Sequence, residues 1–254
     1  DTFVFASAAD SRPGAADLAK WGLLALAIYA AIVLAGWLYI ATAQIAFPGD
    51  LSGWEGAIVD HIRRVIEGQP VYARPSLQFT PLLYGPFYYW LCAALSWTGD
   101  LAFAVPRAVS ALATLLSAFC LVRLVQRFTG QTLAGIVGAG LFFAAALWSD
   151  NWYALAHVDA LFLALMLLAL LLWFGKPTPL HLTACGAVLA GALLTKQSAA
   201  LLVIAVALDG LTYRRRDAVL AAIGLTAVLA AAAVWLAADS GSWAWYFLIV
   251  MPQK

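Results

Sequence analysis

The amino-acid sequence predicts an all-α polytopic membrane protein. Of its 254 residues, 65% are hydrophobic and only 11% are charged, whereas a soluble domain carries about 25% charged residues to cover its surface. The apolar residues are gathered into long runs parted by short polar segments, and mean hydropathy is +0.90. At about 20 residues per crossing, these runs provide about seven transmembrane helices in a single module over residues 1–254. The net charge of +1 supplies no field that would draw nucleic acid, so nucleic acid is excluded as a partner.

The first span covers about 18–47 and stops at Pro48-Gly49. Residues 48–100 then form a first outer loop with interfacial helices. Within it, Trp54 to Gly68 has helical periodicity. Ile58, Ile62, Val65 and Ile66 share one face, and Glu55, Asp60, Arg63, Arg64 and Glu67 lie elsewhere, as in a helix resting on a membrane surface. Pro81 to Trp97 is apolar but holds two prolines and a cluster of aromatics, and Tyr and Trp favour the headgroup layer. It is expected to lie at the interface and not to cross.

Further spans are expected over about 104–122, 132–148, 158–174, 180–194, 199–211 and 218–238. Gly135, Gly138 and Gly140 sit at helical spacing in one of them, which suits close helix packing. Cys92, Cys120 and Cys185 each fall inside an apolar run and read as small core residues.

Arginines orient the chain. Arg123 and Arg127 flank one span, and Arg214, Arg215 and Arg216 sit four spans later. An even number of crossings puts both clusters on one side, the cytoplasm by the positive-inside rule. Three polar segments are then expected together on the outer side. The first holds Asp50, Glu55 and Asp60, the second Asp150, His157 and Asp159, and the third Thr195, Lys196 and Gln197. Each has a structural and a chemical reading. Glu55 opens a helix, where a carboxylate is stabilised by the dipole or serves as a general base. Asp159 either caps a span or joins the chemistry. His157 is a loop hydrogen bonder, a ligand or an acid. Lys196 and Arg107 either snorkel to headgroups or bind a phosphate.

Taken in order, these segments resemble the GT-C superfamily of membrane glycosyltransferases. Trp54-Glu55-Gly56 through Gly68-Gln69-Pro70-Val71-Tyr72 resembles its first outer loop. Thr80 to Tyr89, with Tyr84 among its aromatics, resembles the Pro- and Tyr-rich interfacial helix that follows. Arg107-Ala108-Val109-Ser110 resembles an Arg-x-x-Ser at the start of the next span. His157-Val158-Asp159-Ala160-Leu161 resembles the acidic motif of the second outer loop, and Thr195-Lys196-Gln197 a Lys-Gln pair of bacterial members. The branch most similar is the bacterial one containing protein mannosyltransferases and aminoarabinose lipid A transferases.

The resemblance implies an N-terminal module of about seven spans and an inverting, polyprenyl-phosphate-sugar dependent glycosyltransferase. Its active face would be extracytoplasmic on a bacterial inner membrane, with membrane lipid and the lipid-linked sugar as partners. Glu55 takes the role of the base, with Asp50 as the second candidate because many members have Asp there. Asp159 assists, Lys196 binds the donor phosphate, and Gln197, His157, Tyr84 and Arg107 join the substrate site. If a metal takes part, Glu55 and Asp159 would hold Mg or Mn. Members commonly continue through more spans, so the resemblance also implies a chain shortened at its C-terminus or one that works with a partner subunit. A non-catalytic membrane subunit and a lipid or solute transporter are the competing readings.

Overall fold

The computed structural model describes residues 15–96 and 103–253. Trp97 and the end of the first outer loop, expected to reach residue 100, lie partly outside these residues. Among the described residues there are helices and turns and no strand.

Three helices are long and apolar enough to cross a membrane: Leu18–Ala46, Ala104–Thr129 and Arg215–Asp239. The first belongs to α1, Ala15–Ala46. It is followed by α2, Glu55–Ile66, and α3, Phe87–Leu95. The chain continues with α4, Ala104–Thr129, α5, Thr132–Trp148, α6, Val158–Trp173, and α7, Pro179–Thr195. It ends with α8, Ala200–Tyr213, α9, Arg215–Asp239, and a short α10, Ser242–Trp245. Of the seven helices expected to cross, α5, α6, α7 and α8 are thus shorter than the three long ones. A 17-residue helix rises about 25 Å against a hydrocarbon core of about 30 Å. Turn chemistry sets several of these lengths. Pro179 opens α7 behind the Thr178 cap, whose hydroxyl accepts the His181 amide at 3.3 Å. The chain leaves helical geometry again at Lys196, which is extended at φ −151°.

Sequence boundaries erred most where a helix runs into polar residues. The span expected over 104–122 continues through Arg123, Gln126 and Arg127 to Thr129. It is closed by Gly130 at φ +73°, whose amide donates to the Gln126 carbonyl at 2.8 Å.

The helices pack as a row. One core joins α1, α4 and α5 around Trp37 and Phe143. A second joins α2, α3, α4 and α6 around Ile62, Tyr88 and Ala164. The third joins α6, α7, α8 and α9 around Trp173 and Leu189. Glycine permits the closest contact. A Cβ on Gly186 of α7 would collide with the Ala221 carbonyl of α9, and one on Gly224 of α9 with the Thr183 carbonyl of α7. In α5, Gly135 and Gly140 lie against Val122 and Ala30, as the glycine spacing suggests, whereas Gly138 meets no close neighbour. All three cysteines are buried and free.

Helix α3 has nine residues, a rise of about 13 Å, and cannot cross. Pro86 fixes its start, and it lies beside α2 under a shared core. The buried face of α2 departs from the periodicity, and it also takes in Glu55. His61 is fully buried with Ile58 and Ile62, while Ile66 is 45% exposed.

Candidate functional site

The end of the bundle that holds the start of α2 and α4 is organised by one buried ion pair. Glu55 opens α2, Arg107 lies in the first turn of α4, and both side chains have zero exposure. Arg107 Nε donates to Glu55 Oε1 at 2.8 Å and Nη2 to Oε2 at 2.6 Å. Its remaining N–H groups donate to the carbonyls of Gln44 at 2.7 Å, Phe47 at 2.6 Å and Gly49 at 2.5 Å. These carbonyls close the C-terminal end of α1, where a cation is favoured. All five guanidinium donors are therefore used.

Glu55 is equally occupied. Besides Arg107, Oε1 accepts the Ala156 amide at 2.7 Å and Oε2 the Leu51 amide at 2.8 Å. Burial alone would push its pKa up, but the Arg107 hydrogen bonds and these two amides outweigh it and hold the carboxyl below its ordinary range. The pair joins the end of α1, the first loop, α2, α4 and the loop between α5 and α6. In this arrangement neither residue has a hydrogen-bonding position left for a substrate. The expected roles of Glu55 as base and Arg107 as substrate ligand meet this obstacle.

Asp50 is more open. Its Oδ1 accepts the amides of Ser52 at 2.9 Å and Gly53 at 2.8 Å, and its Oδ2 accepts the Gly56 amide at 2.9 Å. It therefore caps the first turn of α2 from outside. Its slight burial raises the pKa, but the amides acting together lower it overall. The residue is exposed, and one acceptor position on Oδ2 is free.

The loop between α5 and α6 passes beside this cap. His157 Nε2 pairs with the Ser52 hydroxyl at 3.0 Å, and its ring stacks on Trp152 at 3.7 Å between centroids. Burial lowers the His157 pKa, and the nearby Asp159, Glu55 and Asp50 only partly offset this. Trp152 Nε1 in turn donates to Asp159 Oδ2 at 2.9 Å, and Lys196 Nζ donates to Asp159 Oδ1 at 2.6 Å. Lys196 is 31% exposed at its side chain and Asp159 20%. The Lys196 ammonium also lies 5.7 Å from the Tyr84 ring and 5.8 Å from the Phe162 ring. Asp50, Ser52, His157, Trp152, Asp159 and Lys196 thus form one continuous polar string.

Gln197, expected to bind substrate, instead donates to the carbonyls of Leu83 at 2.6 Å and Leu248 at 3.4 Å. It ties the Pro-rich segment to the chain's last turns. Asp60 pairs with Arg63 on the exposed side of α2, and Asp150 stays exposed in a turn at φ +52°. Sequence reasoning passed over Trp152 and His61, and it gave Ser110 no role beyond its place in the Arg-x-x-Ser motif. Ser110 donates to the His157 carbonyl at 3.2 Å and pairs with the Tyr88 hydroxyl at 2.8 Å, so the Arg107-x-x-Ser110 spacing sets both loops. His61 donates from Nδ1 to the Ala57 carbonyl at 2.7 Å and accepts the Leu82 amide on Nε2 at 3.0 Å. A histidine at the fourth place after Ala57, on the buried side of an amphipathic helix, was the available signal.

The carboxylates do not suit a divalent ion. Glu55 has both oxygens engaged by a guanidinium and amides, and Asp159 has one oxygen on an ammonium and one on an indole N–H. No group of three His, Cys, Asp or Glu among the described residues is placed to hold a metal.

An apolar groove of about 920 Å³ opens next to this string, between α3 and α9. Phe87, Trp90, Leu194, Ala231 and Trp235 are among its walls, together with the exposed Ile66 of α2. Leu194 is two residues from Lys196, and Gly85 beside it donates its amide to the Thr195 carbonyl at 3.2 Å. A Cβ at Gly85 would strike the Leu194 backbone, so only glycine lets the Pro-rich segment lie against the end of α7.

Fold and composition define an all-α protein with, among the described residues, three helices long and apolar enough to cross a membrane. Comparison with protein-family models, curated proteins and solved structures gives no match.

Proposed function

We propose that the chain is the membrane module of an inverting glycosyltransferase, similar to the GT-C superfamily, that moves a sugar from a polyprenyl phosphate to an acceptor on the extracytoplasmic face of a bacterial plasma membrane. On this reading the four shorter apolar helices join the three long ones as a module of about seven spans. The observation that carries the proposal is the partly exposed Lys196, held by Asp159 at 2.6 Å and two residues from Leu194, which lines an apolar groove. A lipid phosphate needs such a pairing: a cation for its head and an apolar path for its tail.

Asp159 engages one ammonium N–H and leaves two for phosphate oxygens. Attack by the acceptor hydroxyl on the anomeric carbon forms one C–O bond as the bond to the carrier phosphate breaks. The electron pair stays on the phosphate, where the two remaining N–H groups of Lys196 hydrogen-bond it. The acceptor's proton passes to Asp50, the carboxylate with an open position. Single displacement inverts the anomeric centre. Glu55, with Arg107, holds the loops in place and is a positioning residue on this reading.

The test is transfer from a synthetic polyprenyl-phosphate sugar by the reconstituted chain, alongside equilibrium binding of polyprenyl phosphate. Lys196→Gln is expected to weaken binding and cut turnover by about 10²-fold or more, with partial recovery in Lys196→Arg. Undiminished binding and transfer in Lys196→Gln would reject the assignment.

The saturation of Glu55 by Arg107 favours one second reading, a non-catalytic subunit that keeps the module as a scaffold. That reading expects Asp50→Asn and Lys196→Gln to leave the activity of a full complex unchanged.

A further inference from the structure

The opposite end of the bundle holds a second polar cavity, of about 570 Å³, unrelated to the site above. The last two turns of α4 supply Arg123, Gln126 and Arg127, the connection to α7 supplies Lys176, and the first turn of α7 supplies His181. Arg107 and Arg123 stand at opposite ends of α4, about 24 Å apart along its axis.

The charge in this cavity is one-sided. No carboxylate is among its lining residues. Arg127 donates to the Leu171 carbonyl at 3.3 Å, and the His181 ring meets the Thr178 hydroxyl at 2.7 Å. The side chains of Arg123 and Lys176 make no hydrogen bond or ion pair among the described residues. Nearby Arg214 differs, since it is neutralised by Asp209 at 2.6 Å and tied to the Trp173 carbonyl at 3.2 Å. A cavity that gathers several cations and leaves two unpaired is arranged for an anion.

Its walls say which kind. Phe119, one turn inward from Arg123, lines the cavity and is 54% exposed, and Leu172 faces it from α6. These residues lie on the apolar flank of helices that read as membrane-embedded. A water-soluble phosphate would gain nothing from that wall, whereas an acyl chain would. We propose that this pocket binds the headgroup of an anionic membrane phospholipid, with the phosphate between Arg123, Arg127 and Lys176 and the first part of a tail over Phe119.

The test uses the full chain in nanodiscs of zwitterionic lipid containing a minor fraction of anionic phospholipid, followed by release into detergent and native mass spectrometry. The expected result is at least one anionic lipid retained per chain. Arg123→Gln with Lys176→Gln is expected to lower retention on the order of 25-fold, since each cation near a membrane surface contributes about fivefold. Lys176→Gln with His181→Gln, which leaves α4 untouched, is expected to lower it in the same direction. Thermal midpoints checked in parallel establish that each variant is folded. Arg215→Gln with Arg216→Gln, at the same end but outside the cavity, is expected to retain the lipid. Equal loss in that surface variant would replace the pocket by a diffuse field and overturn the proposal. So would unchanged retention in both folded pocket variants. Competition by glycerol phosphate at the same concentration as the lipid would name a soluble anion as the ligand and overturn it as well.

Discussion

Glu55 and Arg107 saturate each other and their surroundings. All five guanidinium donors and both carboxylate oxygens are engaged, at zero exposure, across 52 residues of sequence. Breaking such a pair by removing one member leaves a buried, uncompensated charge, at about 3–5 kcal/mol. Arg107→Leu is therefore expected to lower the thermal midpoint in detergent strongly and to expose the first loop to protease. Glu55→Leu should do the same, and the double variant should be less damaged than the two single losses added together. Simple additivity in that cycle would show that the pair acts as two independent residues.

The same geometry separates two carboxylates that sequence reasoning left as rivals. Asp50 is exposed and has a free acceptor position, while Glu55 has none. On the proposed function, Asp50→Asn should reduce kcat by about 10²–10⁴-fold, at a stability cost of about 1 kcal/mol from the weakened cap of α2. Glu55→Gln should lower stability together with activity. The pH–rate profile should keep its acidic limb below the usual carboxylate range, because the amides of Gly56, Ser52 and Gly53 outweigh slight burial and depress the Asp50 pKa. An Asp50→Asn protein of full activity would remove this residue from the reaction.

His61 gives the fold a pH dependence. Burial pushes its pKa down to about 4, only partly opposed by its hydrogen bond to the Ala57 carbonyl. The neutral ring is needed because Nε2 accepts the Leu82 amide. An unfolded chain takes up this proton near pH 6.5, whereas the folded one resists until about pH 4. Stability from this group is thus complete above about pH 6.5 and is lost as pH falls towards 4, on the order of 3 kcal/mol in all. Thermal midpoints across that window should fall steeply in the native chain and less steeply in His61→Phe. A residual slope of the same sign is expected from His157, which is also lowered by burial. An unchanged slope in the variant would assign the titration elsewhere.

The sequence carried the helical class and the places where helices meet water, because both follow from local hydropathy. Glu55 could be seen to open a helix, and Lys196 and Asp159 to sit at the ends of apolar runs. Their partners could not be seen, since Glu55 finds Arg107 and Ala156 far along the chain. Isolated spacing therefore could not distinguish a free base from a saturated ion pair. Gln197 shows the reverse case, where a polar residue beside a candidate cation is consumed by backbone carbonyls of Leu83 and Leu248. The end of α4 was missed because Arg123 and Arg127 look like a loop by hydropathy, whereas helix propensity and the Gly130 cap carry the helix on.

The groove between α3 and α9 should discriminate donors by tail length. Its walls are apolar, and Trp90 meets Trp235 edge-on at 4.7 Å across it. Ala231 on α9 is exposed to the groove, so Ala231→Trp adds bulk there without disturbing the Asp159–Lys196 pair, which lies at the start of α6 and just past the end of α7. Binding energy from a long polyprenyl tail should fall, while a short-chain donor that engages only Lys196 should bind as before. A tail kept out of the groove passes into the bilayer, which is equally apolar, so only its packing contacts are lost, and KM should rise for the long donor and not for the short one. Transfer rates measured with both donors on the native and variant chains check this. Equal loss for short and long donors would mean that the substitution disturbs the phosphate site itself. No change for either would mean that the tail runs elsewhere along the bundle.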